Sequence, residues 1–203
     1  MYRAKAVIVA PQIRPYRGDM EFMAISGSAR RASTNTALLR AVSGIVSPAH
    51  TVSVFAGLAR LPVFSPDLEQ HALPPAVEDF AARVGRSDGL IISSPEYVRA
   101  LPGGLKNAID WLVSREEIIA KPIALMHASH RGDDMLAQLR TVFSTVSSRF
   151  FDDVFLRFEL MQTSPGEIDT LLQAPQNRRA VIDFVDQFAA RCERHGAGPS
   201  EPT

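Results

Sequence analysis

Glu21-Phe22-Met23-Ala24-Ile25-Ser26-Gly27-Ser28-Ala29-Arg30-Arg31-Ala32-Ser33-Thr34-Asn35-Thr36 is the stretch that decides the fold. Its opening residues are nearly all apolar and stop at Gly27-Ser28, which reads as a short buried strand. Ser33 or Thr34 can cap a following helix. Within 35–46, Leu38, Ala41, Val42 and Ile45 recur at helical spacing, with Arg40 and Ser43 left on the wet side. The unit is strand, loop, helix, and its loop lies where unpaired backbone amides and the helix dipole favour an anion.

Working toward the C-terminus, Thr51 to Phe55 supplies a second strand. The segment from Ala56 to Pro75 holds Pro62, Pro66, Pro74 and Pro75 and reads as a long surface connection. A helix resumes near Pro75 with Val77, Phe80, Ala81 and Val84 as its apolar stripe and Gly85 as its stop, before the strand Gly89 to Ser93. The helix from Leu105 is expected to place Leu105, Ala108, Ile109, Leu112 and Val113 on one face, and Pro122 opens the strand Ile123 to Met126. A further helix carries Met135, Leu139, Val142, Phe143 and Val146. A fifth strand is expected around Asp153 to Phe158, and a last helix presents Val181, Val185, Phe188 and Cys192 to the core. Strand and helix alternate five times, which predicts a three-layer α/β sandwich around a five-stranded parallel sheet. The strand order expected is 2-1-3-4-5. A ligand then sits beyond the carboxyl ends of strands 1, 3 and 4, at the loops after Ser26, Ser93 and Met126.

Composition sets the outer limits. A chain of 203 residues, 46% apolar, suits one domain, expected over 20–193, with residues 1–19 as an extension and 194–203 as a flexible tail. The extension carries Arg3, Lys5, Arg14 and Arg17 against Asp19 but lacks the apolar run and cleavage site of a secretory signal. Lys and Arg total 22, matched by 22 Asp and Glu, so no global field draws the chain to nucleic acid or to a membrane surface. The apolar runs fall far short of the roughly 18 residues a spanning helix needs. Cys192, the single cysteine, forms no internal disulfide, and a cytoplasmic location is expected. Its expected role is that of a packed small hydrophobe.

In the first loop, Ser28, Ser33, Asn35 and Thr36 offer hydroxyl or amide donors and Arg30 offers a charged fork for phosphate oxygens. Neither Gly-x-x-x-x-Gly-Lys-Ser/Thr nor Gly-x-Gly-x-x-Gly follows any predicted strand, which argues against an NTPase and against a dinucleotide-binding enzyme of that type. Hydroxyls and one Arg, with no metal-binding acid beside them, suit the phosphomonoester of FMN.

The second loop runs Ser94-Pro95-Glu96-Tyr97-Val98-Arg99-Ala100-Leu101-Pro102-Gly103-Gly104 into Leu105-Lys106-Asn107-Ala108-Ile109-Asp110-Trp111. Gly-Ser-x-Arg-x-x-Ser-x-Asn after strand 1, followed by Pro-Glu-Tyr and Leu-Pro-Gly-Gly-Leu-Lys-Asn-Ala-Ile-Asp-Trp after strand 3, resembles the NADPH-dependent FMN reductase family of flavodoxin-like proteins. The resemblance covers about residues 20 to 190 and includes Leu61-Pro62-Val63-Phe64. It implies FMN as cofactor, NADPH or NADH as co-substrate, and a small acceptor such as a flavin or quinone reduced in a ping-pong cycle. It also implies Ser28, Arg30, Ser33, Asn35 and Thr36 around the phosphate, Pro95, Glu96, Tyr97 and Val98 along the isoalloxazine, and Ser129 from the third loop. No side chain is expected to act as a nucleophile, since the flavin carries the chemistry.

Two departures stand out. Val98 replaces the polar residue often found after Pro-Glu-Tyr, and Ala128-Ser129-His130-Arg131-Gly132-Asp133-Asp134 replaces a Gly-rich turn. His127 and His130 lie in that third region, where either could protonate or orient a substrate, or simply serve as a loop histidine. Trp111 and Ile118 fall off the main apolar stripe, and their readings are a subunit interface, in line with the homodimers and homotetramers of similar proteins, or burial within the same domain. The competing functions are an FMN-binding electron carrier and a flavin-free regulatory relative.

Overall fold

The computed structural model describes residues 7–8, 18–70 and 72–193. Along the chain these form β1 (Val7–Ile8), β2 (Glu21–Ser26), α1 (Thr34–Val46), β3 (Thr51–Phe55), a 3-10 turn (Leu58–Arg60), α2 (Pro66–Glu69), α3 (Pro75–Arg86) and β4 (Gly89–Ser93). There follow α4 (Gly103–Asp110), α5 (Glu116–Ile119), β5 (Ile123–His127), α6 (Asp133–Val146), β6 (Phe150–Arg157), α7 (Ile168–Leu172) and α8 (Pro175–Glu193).

The sheet order is β1-β6-β5-β4-β2-β3. The five strands from β2 onward are all parallel, in the order 2-1-3-4-5 that the sequence predicts. Val7–Ile8 adds a two-residue antiparallel edge on Leu156 and Arg157. The rest of the predicted extension up to residue 17, and the tail from 194, lie outside the described residues.

Two apolar layers flank the sheet, and the strict alternation of β2 shows how. Phe22 and Ala24 join the layer built with Leu38, Val42, Val181 and Phe188 from α1 and α8. Met23 and Ile25 join the opposite layer with Val77, Phe80, Leu105 and Leu139 from α3, α4 and α6. Phe22 stacks on Phe188 with ring centroids 4.9 Å apart. Strands β4 and β5 are buried at every residue, as strands covered on both faces must be.

The differences from expectation are local. α3 runs through Gly85 to Arg86. α4 ends at Asp110, so Val113 lies past it and is exposed instead of sharing its apolar face. β6 begins at Phe150, because Phe150 pairs with Ile123 before an irregularity in the ladder. The one-turn helices α2, α5 and α7 are too short to display a helical period, and the sequence gives no sign of them.

Trp111 and Ile118 are fully buried within the chain, at 0% and 1% exposure, which favours the second of their two readings, burial within the same domain, over a subunit interface. Trp111 Nε1 donates to the Pro62 carbonyl at 2.8 Å, and its ring meets Phe64 edge-on at 5.1 Å. Asn107 Nδ2 donates to the same carbonyl, while its Oδ1 accepts from the Phe64 amide. The motif Asn107-Ala108-Ile109-Asp110-Trp111 therefore clamps the segment that follows β3.

Candidate functional site

The three loops singled out by topology meet at the carboxyl edge of β2, β4 and β5. They enclose a cleft of about 320 Å³ lined by Asn35, Pro95, Glu96, His127, Ser129 and Met161 among others. Each wall is held by hydrogen bonds that a local reading of the sequence does not show.

The first loop leaves β2 at Gly27, whose amide donates to Ser93 O at 2.8 Å. A Cβ at Gly27 would lie 2.3 Å from Ser94 Oγ and 2.6 Å from Ser94 Cβ, so only glycine lets the first and second loops touch. Ser28 Oγ accepts from the Arg30 amide, and Ser33 caps α1 by accepting from the Thr36 amide at 3.2 Å. Thr36 also donates its hydroxyl to Ser26 Oγ at 2.8 Å. Both donors of Thr36 are thus used inside the loop, and it supports the cradle from below instead of lining it. Asn35 Oδ1 accepts from Ser93 Oγ at 2.8 Å, which leaves its Nδ2 with no partner among the described residues. The Thr34 and Asn35 amides, at the first two positions of α1, have no intrahelical acceptor. Ser28, Ser33 and Asn35 are buried, whereas Arg30 is exposed and has no ion pair among the described residues. Thr34 and Asn35 line this end of the cleft, where helix-mouth amides and an amide NH₂ can meet an anion, while Ser28, Arg30 and Ser33 lie on the same loop outside the lining.

In the second loop Ser94 and Pro95 face the cleft. Glu96 Oε2 accepts from the Met135 amide at 3.1 Å, at the third position of α6. Its carboxylate therefore caps α6 and ties the second loop to the third. Tyr97 and Ala100 exchange backbone bonds at 3.0 Å around a tight turn whose two central residues, Val98 and Arg99, have φ of 51° and 58°. Val98 is 98% exposed at the tip of that turn and does not line the cleft expected of it. The turn rests on α6: Gln138 Nε2 donates to Arg99 O, Gln138 Oε1 accepts from the Leu101 amide, and Arg99 pairs with Asp134.

The third loop carries Ser129, whose Oγ accepts from the Arg131 amide at 2.9 Å. His130 is exposed on it, away from any described partner. His127, at the end of β5, is 2% exposed and its Nε2 bonds to the Arg131 carbonyl. Burial pushes the imidazole below its ordinary range, and nearby Arg157 acts in the same direction. Its Nδ1 is buried with no partner. The chain beyond β6 flanks this loop, with the Phe158 amide donating to His127 O and the Leu160 amide to Ala128 O, and brings Met161 to the cleft. His127 was expected beside this loop as a group that could orient a substrate or serve as a loop histidine, whereas Arg131 and Met161 were not among the expected contacts. Only the topology, which sets the ends of β5 and β6 side by side, brings Met161 there.

Fold and cleft together define a flavodoxin-like α/β protein whose cleft opens at the carboxyl edge of the sheet. Residues 20–157 match the model of the NADPH-dependent FMN reductases, and the chain belongs to that family. It is 36% identical over 113 residues to an NAD(P)H-dependent FMN reductase of Pseudomonas aeruginosa, a match covering 55% of this chain and 60% of that protein. It is 32% identical over 113 residues to a quinone reductase of Escherichia coli, covering 54% and 60% respectively. The chain thus spans about three fifths of the length of these relatives. Among solved structures, FerB of Paracoccus denitrificans, a flavoenzyme NAD(P)H:(acceptor) oxidoreductase, superposes with a TM-score of 0.70 at 24% identity, over 87% of this chain and 98% of that one.

Proposed function

We propose that this protein holds FMN in the cleft and uses it to reduce a small acceptor, such as a quinone or a flavin, at the expense of NADPH or NADH. The observation that carries the reading is the convergence on one cleft of the α1 N-terminus, through Thr34 and Asn35, with the Pro95-Glu96 loop and the Ser129 loop, as family membership implies. The donor set fits the cofactor: charged and amide donors suit a phosphomonoester, and the wall of Pro95, Ala128 and Met161 suits a flat ring. The unpartnered Asn35 Nδ2 is a polar group awaiting a ligand. Bound FMN supplies hydride chemistry, accepting from a nicotinamide and passing reducing equivalents onward.

The chain's own residues bind and orient. Arg30 neutralises the phosphate, Ser28 and Ser33 shape the loop that presents the amides, and Asn35 donates from the helix mouth. Glu96 fixes the second loop to α6, so that Pro95 and Tyr97 hold one side of the ring in place. Ser129 supports the opposite loop, and Met161 offers an apolar side chain at the cleft edge.

The test is a titration of the purified protein with FMN, followed by rapid mixing of the loaded protein with NADPH and with NADH. Bleaching of the flavin absorbance is expected with one or both; a flavin that stays oxidised overturns the reductase reading and leaves an electron carrier. Arg30→Ala should cost about 1.5–3 kcal/mol of FMN affinity, as expected for one charged hydrogen bond, and unchanged affinity would remove Arg30 from the site.

Among the described residues no helix is long and apolar enough to cross a membrane. The lone buried thiol of Cys192 accords with a cytoplasmic setting. We further propose a homodimer or homotetramer. Its support is the apolar surface of Tyr97, Val98 and Met161, which are 50%, 98% and 54% exposed on loops of the cleft edge. Sedimentation of the FMN-loaded protein reads that state directly.

A further inference from the structure

His127 closes β5 at the floor of the cleft, and the chemistry above gives it no step. Its geometry assigns one. A carbonyl only accepts, so the bond to Arg131 O requires the proton on Nε2 and leaves Nδ1 as the unprotonated nitrogen. That single bond folds the loop from Ala128 to Arg131 back onto the strand. At Gly132 the backbone turns with φ of 98°, and a Cβ there would lie 2.9 Å from His127 Nε2 and 3.1 Å from Cε1. A glycine is what allows the chain to close over the ring. Ala128, Ser129, Arg131 and Gly132 all line the cleft, so the position of this loop sets the shape of the site.

We propose that neutral His127 is the latch that holds the loop 128–132 against bound FMN, a positioning residue whose protonation frees the loop and with it the cofactor. The ligand named here rests on the FMN reading above; the latch itself rests on the His127, Arg131 and Gly132 contacts. A second proton would have to sit on Nδ1, which is buried and faces no acceptor. The charged groups around the ring do not supply one. The Arg131 carbonyl and the charges of Asp133 and Glu96 favour the imidazolium, but burial outweighs them and Arg157 on β6 repels it; Asp133 at the start of α6 is paired with Arg157, Glu96 from the second loop with the Met135 amide, and Nδ1 has neither as a partner. Arg131, on the loop itself, adds no acceptor from its side chain.

The sign follows. The closed loop prefers the neutral ring, whereas an open loop returns the histidine to water and to a pKa of about 6.5. Closure is therefore at full strength above about pH 6.5 and weakens as the pH falls below it.

The experiment is an FMN titration of the wild type and of His127→Gln at about pH 8 and about pH 5.5. The glutamine amide reaches where Nε2 does and donates to the same carbonyl without titrating. Both proteins should bind FMN within a few-fold of each other at the higher pH. At the lower pH the wild type should lose up to about tenfold more affinity than the variant, the ceiling set by one proton over one pH unit. Protonation of the flavin phosphate weakens both alike and cancels in the comparison. Parallel losses in the two proteins overturn the latch.

Long-range proton–nitrogen spectra of the wild-type imidazoles give a second measure that needs no variant. The expected result is an Nε2–H tautomer for His127 and a titration midpoint that falls when FMN is added. An Nδ1–H tautomer, or a midpoint indifferent to FMN, overturns the proposal. A wild type that takes up no FMN at about pH 8 overturns the cofactor reading alone. The latch is then read from the tautomer and from tryptic cleavage after Arg131, which Gly132→Ala should accelerate several-fold and which an unlatched loop would leave unchanged.

Discussion

Gly27 and Ser94 come from different loops, yet the space between them admits no side chain: a Cβ at residue 27 would fall 2.6 Å from Ser94 Cβ, an atom that no rotamer change can remove. Gly27→Ala should cost about 1–3 kcal/mol through overpacking and weaken FMN binding with it, and Ser94→Gly in the same chain should restore part of both. Thermal melts and FMN titrations of the two single variants and the double variant check this; strictly additive losses would show that the two residues do not share the strain. Val98 is a different case. A β-branched residue at φ 51° bears backbone strain on the order of 1 kcal/mol or more, and at 98% exposure its side chain recovers nothing by burial within the chain. Val98→Asn should raise the stability of the isolated chain by about 1 kcal/mol and leave FMN affinity unchanged, because the side chain stands outside the cleft. A denaturation midpoint that stays put or falls would refute the strain argument.

At the scale of elements, α4 and α6 each do more than cover the sheet. α4 clamps Pro62 and Phe64 through Asn107 and Trp111, and α6 receives Glu96 at its N-terminus while Gln138 braces the turn at Arg99. The segment after β3 and the second loop of the cleft are therefore each pinned by a helix whose sequence motif looks like a plain helical pattern. Trp111→Phe removes the indole donor and part of a fully buried side chain, and should cost about 1–3 kcal/mol in chemical denaturation. It should leave the sedimentation size of the protein unchanged; a change in oligomeric state would return Trp111 to an interface. The order of elements in β2 to α1 was legible because one short stretch contains the strand, the stop and the cap. The clamp was not, because Pro62 and Trp111 are far apart in sequence and only the packing of α4 beside the segment after β3 joins them.

For the molecule as a whole, the sheet divides the apolar side chains into two layers, and Cys192 belongs to the one shared by α1 and α8. Burial pushes its thiol up to about 12, with Arg149 only partly offsetting that. The thiolate is then scarce at neutral pH, and folded protein should resist a thiol-labelling reagent at about pH 8 while denatured protein reacts fully. Rapid stoichiometric labelling of the native chain, followed by mass spectrometry, would contradict this burial. Acid acts on the whole fold in one direction. Asp133, held below its ordinary range chiefly by its bond to Arg157, favours the folded chain at neutral pH and loses that preference as it is protonated, and buried His127 resists the charge that low pH imposes on it.

Local sequence was enough for the alternation of strands and helices, the parallel order 2-1-3-4-5, and the position of the capped loop between β2 and α1. These depend on local periodicity and on caps that neighbouring residues supply, together with the handedness of crossover connections. Only the tertiary structure decided that Trp111 turns inward, that Thr36 spends its donors inside the loop, that Glu96 caps α6, that Val98 stands clear of the cleft, and that His127 lies beneath the third loop. The Trp111–Pro62 and Glu96–Met135 bonds join segments remote along the chain, and the others depend on how the loops lie once the sheet has brought the strand ends together.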